Sequence, residues 1–242
     1  MTHLSVNLNK IGLLRNSRGR DYPNMVTMAE RVLSLGAFGL TIHPRPDQRH
    51  ATYQDAYDLK SLVARYPGKE LNIEGFPDDH FLKVVLDVVP DQCTLVPDDP
   101  NQLTSDHGWN LGRDQDVLRP IIGKLKDKGI RVVLFMDPDP ENMIMAKNIG
   151  ANRVELYTEA YSNAFATEAE SQCLTQYTEA AAAAKEAGLD VNAGHDLDLK
   201  NVGKFCENGL ITEVSIGHAL TIESLDLGWD NVIKMYLNIL EK

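Results

Sequence analysis

Short runs in which apolar and polar residues alternate are spaced along the chain between longer stretches of helical periodicity. Leu4, Val6 and Leu8 alternate with Ser5, Asn7 and Asn9; Leu40 and Ile42 with Thr41 and His43; Leu71 and Ile73 with Asn72 and Glu74; Val154 and Leu156 with Glu155 and Tyr157. A period of two places each set on its own face of a strand. These and further short apolar runs predict strands at Leu4–Leu8, Phe38–His43, Glu70–Glu74, Gln92–Val96, Arg131–Met136, Arg153–Tyr157, Asp190–Ala193 and Glu213–Ile216. Helical patterns fill the gaps. Over Asn24–Leu35, Met25, Met28, Ala29, Val32 and Leu33 form one stripe, and Gly36 is the natural stop. Thr52–Asp55 and Thr167–Glu170 each read as a capping box opening a helix. The second of these helices runs through the alanine series Ala180–Ala184 to Gly188, where small side chains permit close helix–sheet contact.

Eight strand-then-helix units in 242 residues predict an α/β fold, a (β/α)₈ barrel, as a single domain over residues 1–242. An open doubly wound sheet is the competitor, but no glycine-rich nucleotide loop follows the first strand. No Pro-, Gly- or Ser-rich linker divides the chain. In this barrel the apolar set should face the outer helices and the polar set the interior. Buried polar groups are costly unless paired, so so many of them predict a wet, ligand-binding mouth.

Composition narrows the function classes. The net charge of −11 argues against general binding to nucleic acid or anionic membranes, so any anion site must be built locally. Cys93, Cys173 and Cys206 are far apart and form no metal or disulfide framework. No signal peptide pattern and no membrane-length apolar run is present, and a cytoplasmic location is expected.

The candidate chemistry gathers at the predicted strand ends. The segment His43-Pro-Arg-Pro-Asp-Gln-Arg-His50 holds two histidines and two arginines, and its prolines exclude regular structure. His43, His195 and His218 each end a strand, at the barrel end where catalytic residues sit in this fold. Glu74 and Glu155 are the inward carboxylates. Asn192-Ala-Gly-His195 and Ser215-Ile-Gly-His218 resemble each other, and loops after strands seven and eight of barrels frequently bind phosphate. Asn7, Asn9 and Lys10 end strand one, with Arg15, Arg18 and Arg20 beyond; Arg18 is a candidate anion clamp. The long polar loop Pro97–Arg113, with Thr104, is a candidate lid. These residues point to acid/base work on a small substrate with one or two phosphates, without a nucleotide or redox cofactor. A metal-dependent epimerase or aldolase stays open, because His43, Glu74, His195 and His218 are metal-ligand types. A barrel that only binds a phosphorylated intermediate also stays open.

In order and spacing, Val6–Lys10, Leu14–Gly19, Thr41–His50, Asn72–Glu74, Leu95–Pro97 with Thr104, Val191–His195 and Ile216–His218 together resemble the pyridoxine 5′-phosphate synthase family of vitamin B6 biosynthesis. The resemblance spans nearly the whole chain. It implies a (β/α)₈ barrel in a homo-octamer, with no cofactor and no metal. It also implies a transferase that condenses 3-amino-2-oxopropyl phosphate with 1-deoxy-D-xylulose 5-phosphate, giving pyridoxine 5′-phosphate, phosphate and water. His43 is implied as proton acceptor, Glu74 as a second acid/base group and His195 as proton donor. Asn7, Arg18, Gly217 and His218, near the Gly194–His195 turn, are implied to hold the aminoketone phosphate. Arg45, His50 and Thr104, helped by Asn9 and Lys10, are implied to hold the deoxyxylulose phosphate. Asp196 is placed with the substrate-binding residues, and Glu155 and Gly194 are additional candidates. The chain departs from the common pattern at Asn9-Lys10, where many members carry Asp-His, at Pro46 in Arg45-Pro-Asp47, and at Tyr157-Thr-Glu159, where His-Thr-Gly is usual.

Overall fold

A computed structural model describes residues 1–98 and 104–241. Eight parallel strands close into a barrel in sequence order: β1 (His3–Asn7), β2 (Gly39–Ile42), β3 (Glu70–Gly75), β4 (Gln92–Leu95), β5 (Arg131–Met136), β6 (Arg153–Tyr157), β7 (Asp190–Gly194) and β8 (Glu213–Ile216). Ladders such as Ser5↔Ser215 and Ser5↔Gly39 join β1 to both neighbours and leave no sheet edge. All eight expected strands are present, with ends displaced by at most one residue.

The helices are α1 (Asn9–Asn16), α2 (Met25–Ser34), α3 (Tyr53–Val63), α4 (Asp79–Val88), α5 (Leu111–Asp127), α6 (Pro140–Asn148), α7 (Glu159–Ala164), α8 (Glu170–Glu186), α9 (Val202–Cys206), α10 (His218–Leu227) and α11 (Trp229–Leu240). Local chemistry explains several starts. The Asn24 side chain accepts the Thr27 N–H at 2.8 Å and caps α2. Thr52 and Asp55 form the reciprocal capping box of α3. The box expected at Thr167–Glu170 takes another form. Helix α8 starts at Glu170, whose carboxylate reaches back to the Ala166 N–H, while Thr167 Oγ1 accepts from Ala169. The connection already holds the short helix α7, so the chain turns there before α8 begins.

Packing follows the alternation. Leu4, Val6, Leu40, Ile42, Leu71, Ile73, Val154, Leu156, Val191 and Val214 are buried between the sheet and the helices. Burial of one large aliphatic chain contributes about 1.5–3 kcal/mol. Leu40→Ala in this layer should cost about 2–5 kcal/mol. The opposite face fills the barrel with polar groups. At the bottom, Arg131 grips Glu70 at 2.5 and 3.0 Å, and Arg153 binds Gln92, Asn192 and Glu213 at 3.2, 3.3 and 2.9 Å. Above them, Ser5 meets Thr41 at 2.8 Å, and Thr94 Oγ1 lies 3.1 Å from Asn72 and 3.3 Å from Glu155. Phe135, Val96 and Tyr157 form a separate apolar cluster. Most of the inward polarity is thereby paired in layers up to the mouth, while Gln92 Nε2 and Arg153 Nε have no hydrogen-bond partner. No helix of the described residues is long and apolar enough to cross a membrane.

Candidate active site

The C-terminal ends of the strands surround a cavity of about 450 Å³. Its walls include Asn7, Asn9, Lys10, His50, Glu74, Thr104, Glu155, His195, Asp196, Gly217 and His218, so eleven residues singled out in the sequence share one space. His43 and Arg45 are buried beside it and line a smaller pit with Gly75, Phe76 and Asp98. Arg18 is exposed on the turn after α1 and does not line the cavity. Of the expected lid, Pro97, Asp98 and the stretch from Thr104 are described; residues 99–103 lie outside the described residues.

Strand ends aim these groups. Asn7 Oδ1 accepts the Asn9 N–H at 3.0 Å, and Asn9 Oδ1 accepts the His43 N–H at 2.8 Å. Asn7 Nδ2 donates to Glu74 at 3.5 Å. From α1, Asn16 Nδ2 donates to the carbonyls of Gln48, Arg49 and His50 at 3.0, 3.2 and 2.7 Å, tying down the cationic loop. Arg45 pairs with Asp98, and Ser105 donates to the same carboxylate at 2.9 Å.

The two Gly-His motifs have different fates. His195 adopts φ +80° and turns a half-buried ring toward the cavity, between Phe135 and Tyr157, with Nε2 3.5 Å from Thr104 Oγ1. His218 is exposed and begins α10, so that motif presents a helix N-terminus instead. Space demands glycine at Gly217, whereas a side chain at Gly194 would have to push the Glu155 carboxylate aside. A β-carbon on Gly194 would lie 2.5 Å from Glu155 Oε1, and one on Gly217 would lie 2.9 Å from the Asn7 β-carbon. Helices α1 and α10 both open on the cavity with no side-chain cap and no acidic residue in the first turn. Apart from the Asn9 N–H, which Asn7 Oδ1 already takes, their first-turn N–H groups and their dipoles suit anions.

Burial sets the protonation states. Desolvation, reinforced by Arg45, His50 and His195, holds the His43 pKa well below its ordinary value, so the imidazole is neutral. His50 is lowered to about 4 by burial and then by Lys10 and Arg49. His195 is lowered by burial, but Asp196, Asp98 and Glu159 oppose that shift. Glu74 is raised well above the carboxylate range by burial and by Glu155 and Asp98, against the pull of Arg45. Glu155 is pushed up to about 8 by burial and Glu213, with the Thr94 hydrogen bond opposing. The site thus pairs a neutral histidine with a carboxyl that keeps its proton. Among the described residues, no three His, Cys, Asp or Glu side chains are arranged to hold a metal ion.

Arg49, Leu13, Leu197, Ser215, Ile216 and Ala219 also line the cavity. Arg49 stood in the cationic segment but was not among the selected site residues. Asp98, the partner of Arg45, had no sequence signal beyond its place after strand four.

The sequence profile of the pyridoxal phosphate biosynthesis protein PdxJ matches residues 4–242. The chain belongs to the PdxJ family. Among relatives, it is 49% identical over 243 residues to the pyridoxine 5′-phosphate synthase of Cytophaga hutchinsonii, covering 100% of both chains. It is 47% identical over 242 residues to that of Christiangramia forsetii, again covering 100% of both. Outside the PdxJ family the likeness is one of fold. The crystal structure of KGPDC from Streptococcus mutans superposes with a TM-score of 0.64 at 12% identity, covering 100% of this chain and 98% of that one.

Proposed function

We propose that the chain is a pyridoxine 5′-phosphate synthase, a transferase condensing 3-amino-2-oxopropyl phosphate with 1-deoxy-D-xylulose 5-phosphate. One observation carries the reading: a single cavity joins Glu74, Glu155 and His195 to the uncapped N-termini of α1 and α10. Two anion-binding walls thus flank acid/base groups of unlike protonation.

The α10 wall, with Asn7, Gly217 and His218, suits the aminoketone phosphate. The α1 wall, with Asn9, Lys10, Arg49 and His50, suits the phosphate of the second substrate. Arg45 and Arg18 join these sites by family likeness; Arg45 would exchange its Asp98 partner for substrate, and Arg18 would reach in from the α1 turn. The amine then attacks the ketone carbon and water leaves. Phosphate is expelled, a carbon–carbon bond closes the ring, and further water departs. Every step moves protons, and none changes the overall oxidation state of the combined substrates. Neutral His43 accepts protons and Glu74 returns the one it holds. His195 is the donor by family likeness; burial lowers its pKa, the Asp196, Asp98 and Glu159 carboxylates oppose that shift only in part, and a bound phosphate would add to their pull.

By the same likeness we place the chain in a cytoplasmic homo-octamer; light scattering at eight times 26.9 kDa would support that assembly, and a smaller mass would exclude it. The activity test is incubation with both substrates after chelator treatment, read by mass spectrometry and a phosphate assay. The expected result is pyridoxine 5′-phosphate and phosphate in equal amounts. A folded protein that binds either substrate but forms neither product overturns the reading.

A further inference from the structure

The turn that carries His195 is held by an element the barrel does not need. Helix α8 alone could return the chain from β6 to β7, yet α7 is inserted before it. His195 and the next residue, Asp196, have φ of +80° and +57°, a region that side chains disfavour. Residues at the start of α7 tie down the carbonyls of this turn one after another. Thr158 is fully buried. Its Oγ1 donates to the Gly194 carbonyl at 2.7 Å and also lies within hydrogen-bond distance of the His195 carbonyl, and its N–H meets Gly194 at 3.0 Å. One helical turn on, Ser162 Oγ donates to the Asp196 carbonyl at 2.8 Å, and Asn201 Nδ2 joins at 3.1 Å. Tyr161 donates to the Asn201 carbonyl at 3.0 Å.

The imidazole is confined as well. Phe135 and Tyr157 flank it with ring centroids at 5.3 and 5.2 Å, and the Tyr157 hydroxyl donates to Glu159, the first residue of α7. Backbone and ring of His195 are therefore referred to the same short helix. A reacting group displaced by about 1 Å can lose about a hundredfold in rate.

We propose that Thr158 is a positioning residue for His195: its hydroxyl fixes the Gly194–His195 carbonyls and so aims the imidazole into the cavity. The proposal rests on the synthase reading of His195 given above. Thr158 itself is not among the residues that line the cavity. The fold of the turn supplies the geometry, and the hydroxyl keeps it in place against its disfavoured backbone.

The test compares Thr158→Val, which keeps the shape and removes the donor, with Thr158→Ser, which keeps the donor. Product formation by the wild-type protein in the same assay checks the synthase reading separately. Thr158→Val is expected to lower kcat about 10- to 100-fold with both KM values within about threefold, and Thr158→Ser to restore kcat. The ¹⁵N and ¹H signals of the His195 imidazole should shift or broaden in Thr158→Val and not in Thr158→Ser. Thr175→Val, which loses a hydroxyl donating to Ser171 on the exposed face of α8, should change none of these. Unaltered kcat and unaltered His195 signals in folded Thr158→Val overturn the proposal. Should that variant not fold, Ser162→Ala is measured, and wild-type kcat and His195 signals there overturn it equally. The ring signals report on positioning even if the wild-type protein forms no product, so the two readings can fail independently.

Discussion

The side-chain oxygen of Asn9 accepts the backbone N–H of His43 at 2.8 Å. The β1–β2 ladder ends one step earlier, with Asn7 opposite Thr41 and the Leu8 N–H on the Thr41 carbonyl at 2.9 Å. Beyond that point the His43 N–H has left the ladder, and Asn9 satisfies it. The residue that opens α1 thus anchors His43, which follows β2. Asn9→Ala should lower stability by about 1 kcal/mol and kcat by about tenfold, through a misplaced His43. Asn9→Asp keeps an acceptor and should retain the stability. Thermal melts beside steady-state rates check this; an Asn9→Ala protein equal to wild type in both would dismiss the anchor.

The expectations about the fold succeeded where the signal was local. Short apolar runs of four to six residues located all eight strands, and the period of two in several of them also gave the inward set that includes Thr41, Asn72, Glu74 and Glu155. Helix α7 was not foreseen, because six residues are too few to show a helical stripe and its purpose lies in contacts 35 or so residues away, such as Thr158 with Gly194. The pairing of Arg45 with Asp98 was invisible for the same reason: it joins the ends of two strands that are 53 positions apart. The cavity residues named from the sequence came together because each lies near the C-terminal end of a strand or in the segment that follows it, and the barrel makes all strand ends neighbours. Arg18 is the exception, since it lies on the turn beyond α1 and not at the strand end.

His43 and Glu74 should fail differently from the residues that bind phosphate. His43→Ala removes the neutral base and should lower kcat at least ~10²-fold with modest change in either KM. Glu74→Gln keeps a group that can accept the Asn7 amide but has no proton to exchange, and should lose about 10²- to 10⁴-fold in kcat. Single-turnover rates beside equilibrium binding separate chemistry from affinity. Near-wild-type turnover in either variant takes that residue out of the proton transfers.

Arg18→Ala should act on affinity. A guanidinium reaching a phosphate from an exposed turn would bind ground state and transition state alike, so the KM for one phosphorylated substrate should rise about tenfold with kcat little changed. Titration of each substrate at saturating concentration of the other shows which phosphate it meets. Unchanged KM for both removes Arg18 from the phosphate sites.

The buried carboxyl of Glu155 should make stability depend on pH with a definite sign. In the folded protein it keeps its proton up to about pH 8, whereas in the unfolded chain it gives the proton up near the ordinary carboxylate value of 4.5. Between those values the folded state binds more protons, so this group makes the protein less stable as pH rises from about 4.5 to 8. His50 works oppositely. Its pKa is lowered to about 4, so the unfolded state binds more protons between 4 and 6.5, and stability from this group is lost as pH falls through that window. Glu155→Gln removes the first dependence and leaves the second. It can still accept the Thr94 hydroxyl, which wild-type Glu155 meets at 3.3 Å. The variant should therefore be the more stable protein at pH 8, by at least ~1 kcal/mol, with the advantage shrinking toward pH 4.5. Urea titrations of both proteins across pH 4.5–8.5 give the difference directly. A difference that stays constant across that range would mean that Glu155 titrates in the folded protein as it does in the unfolded chain, and that burial does not hold its proton.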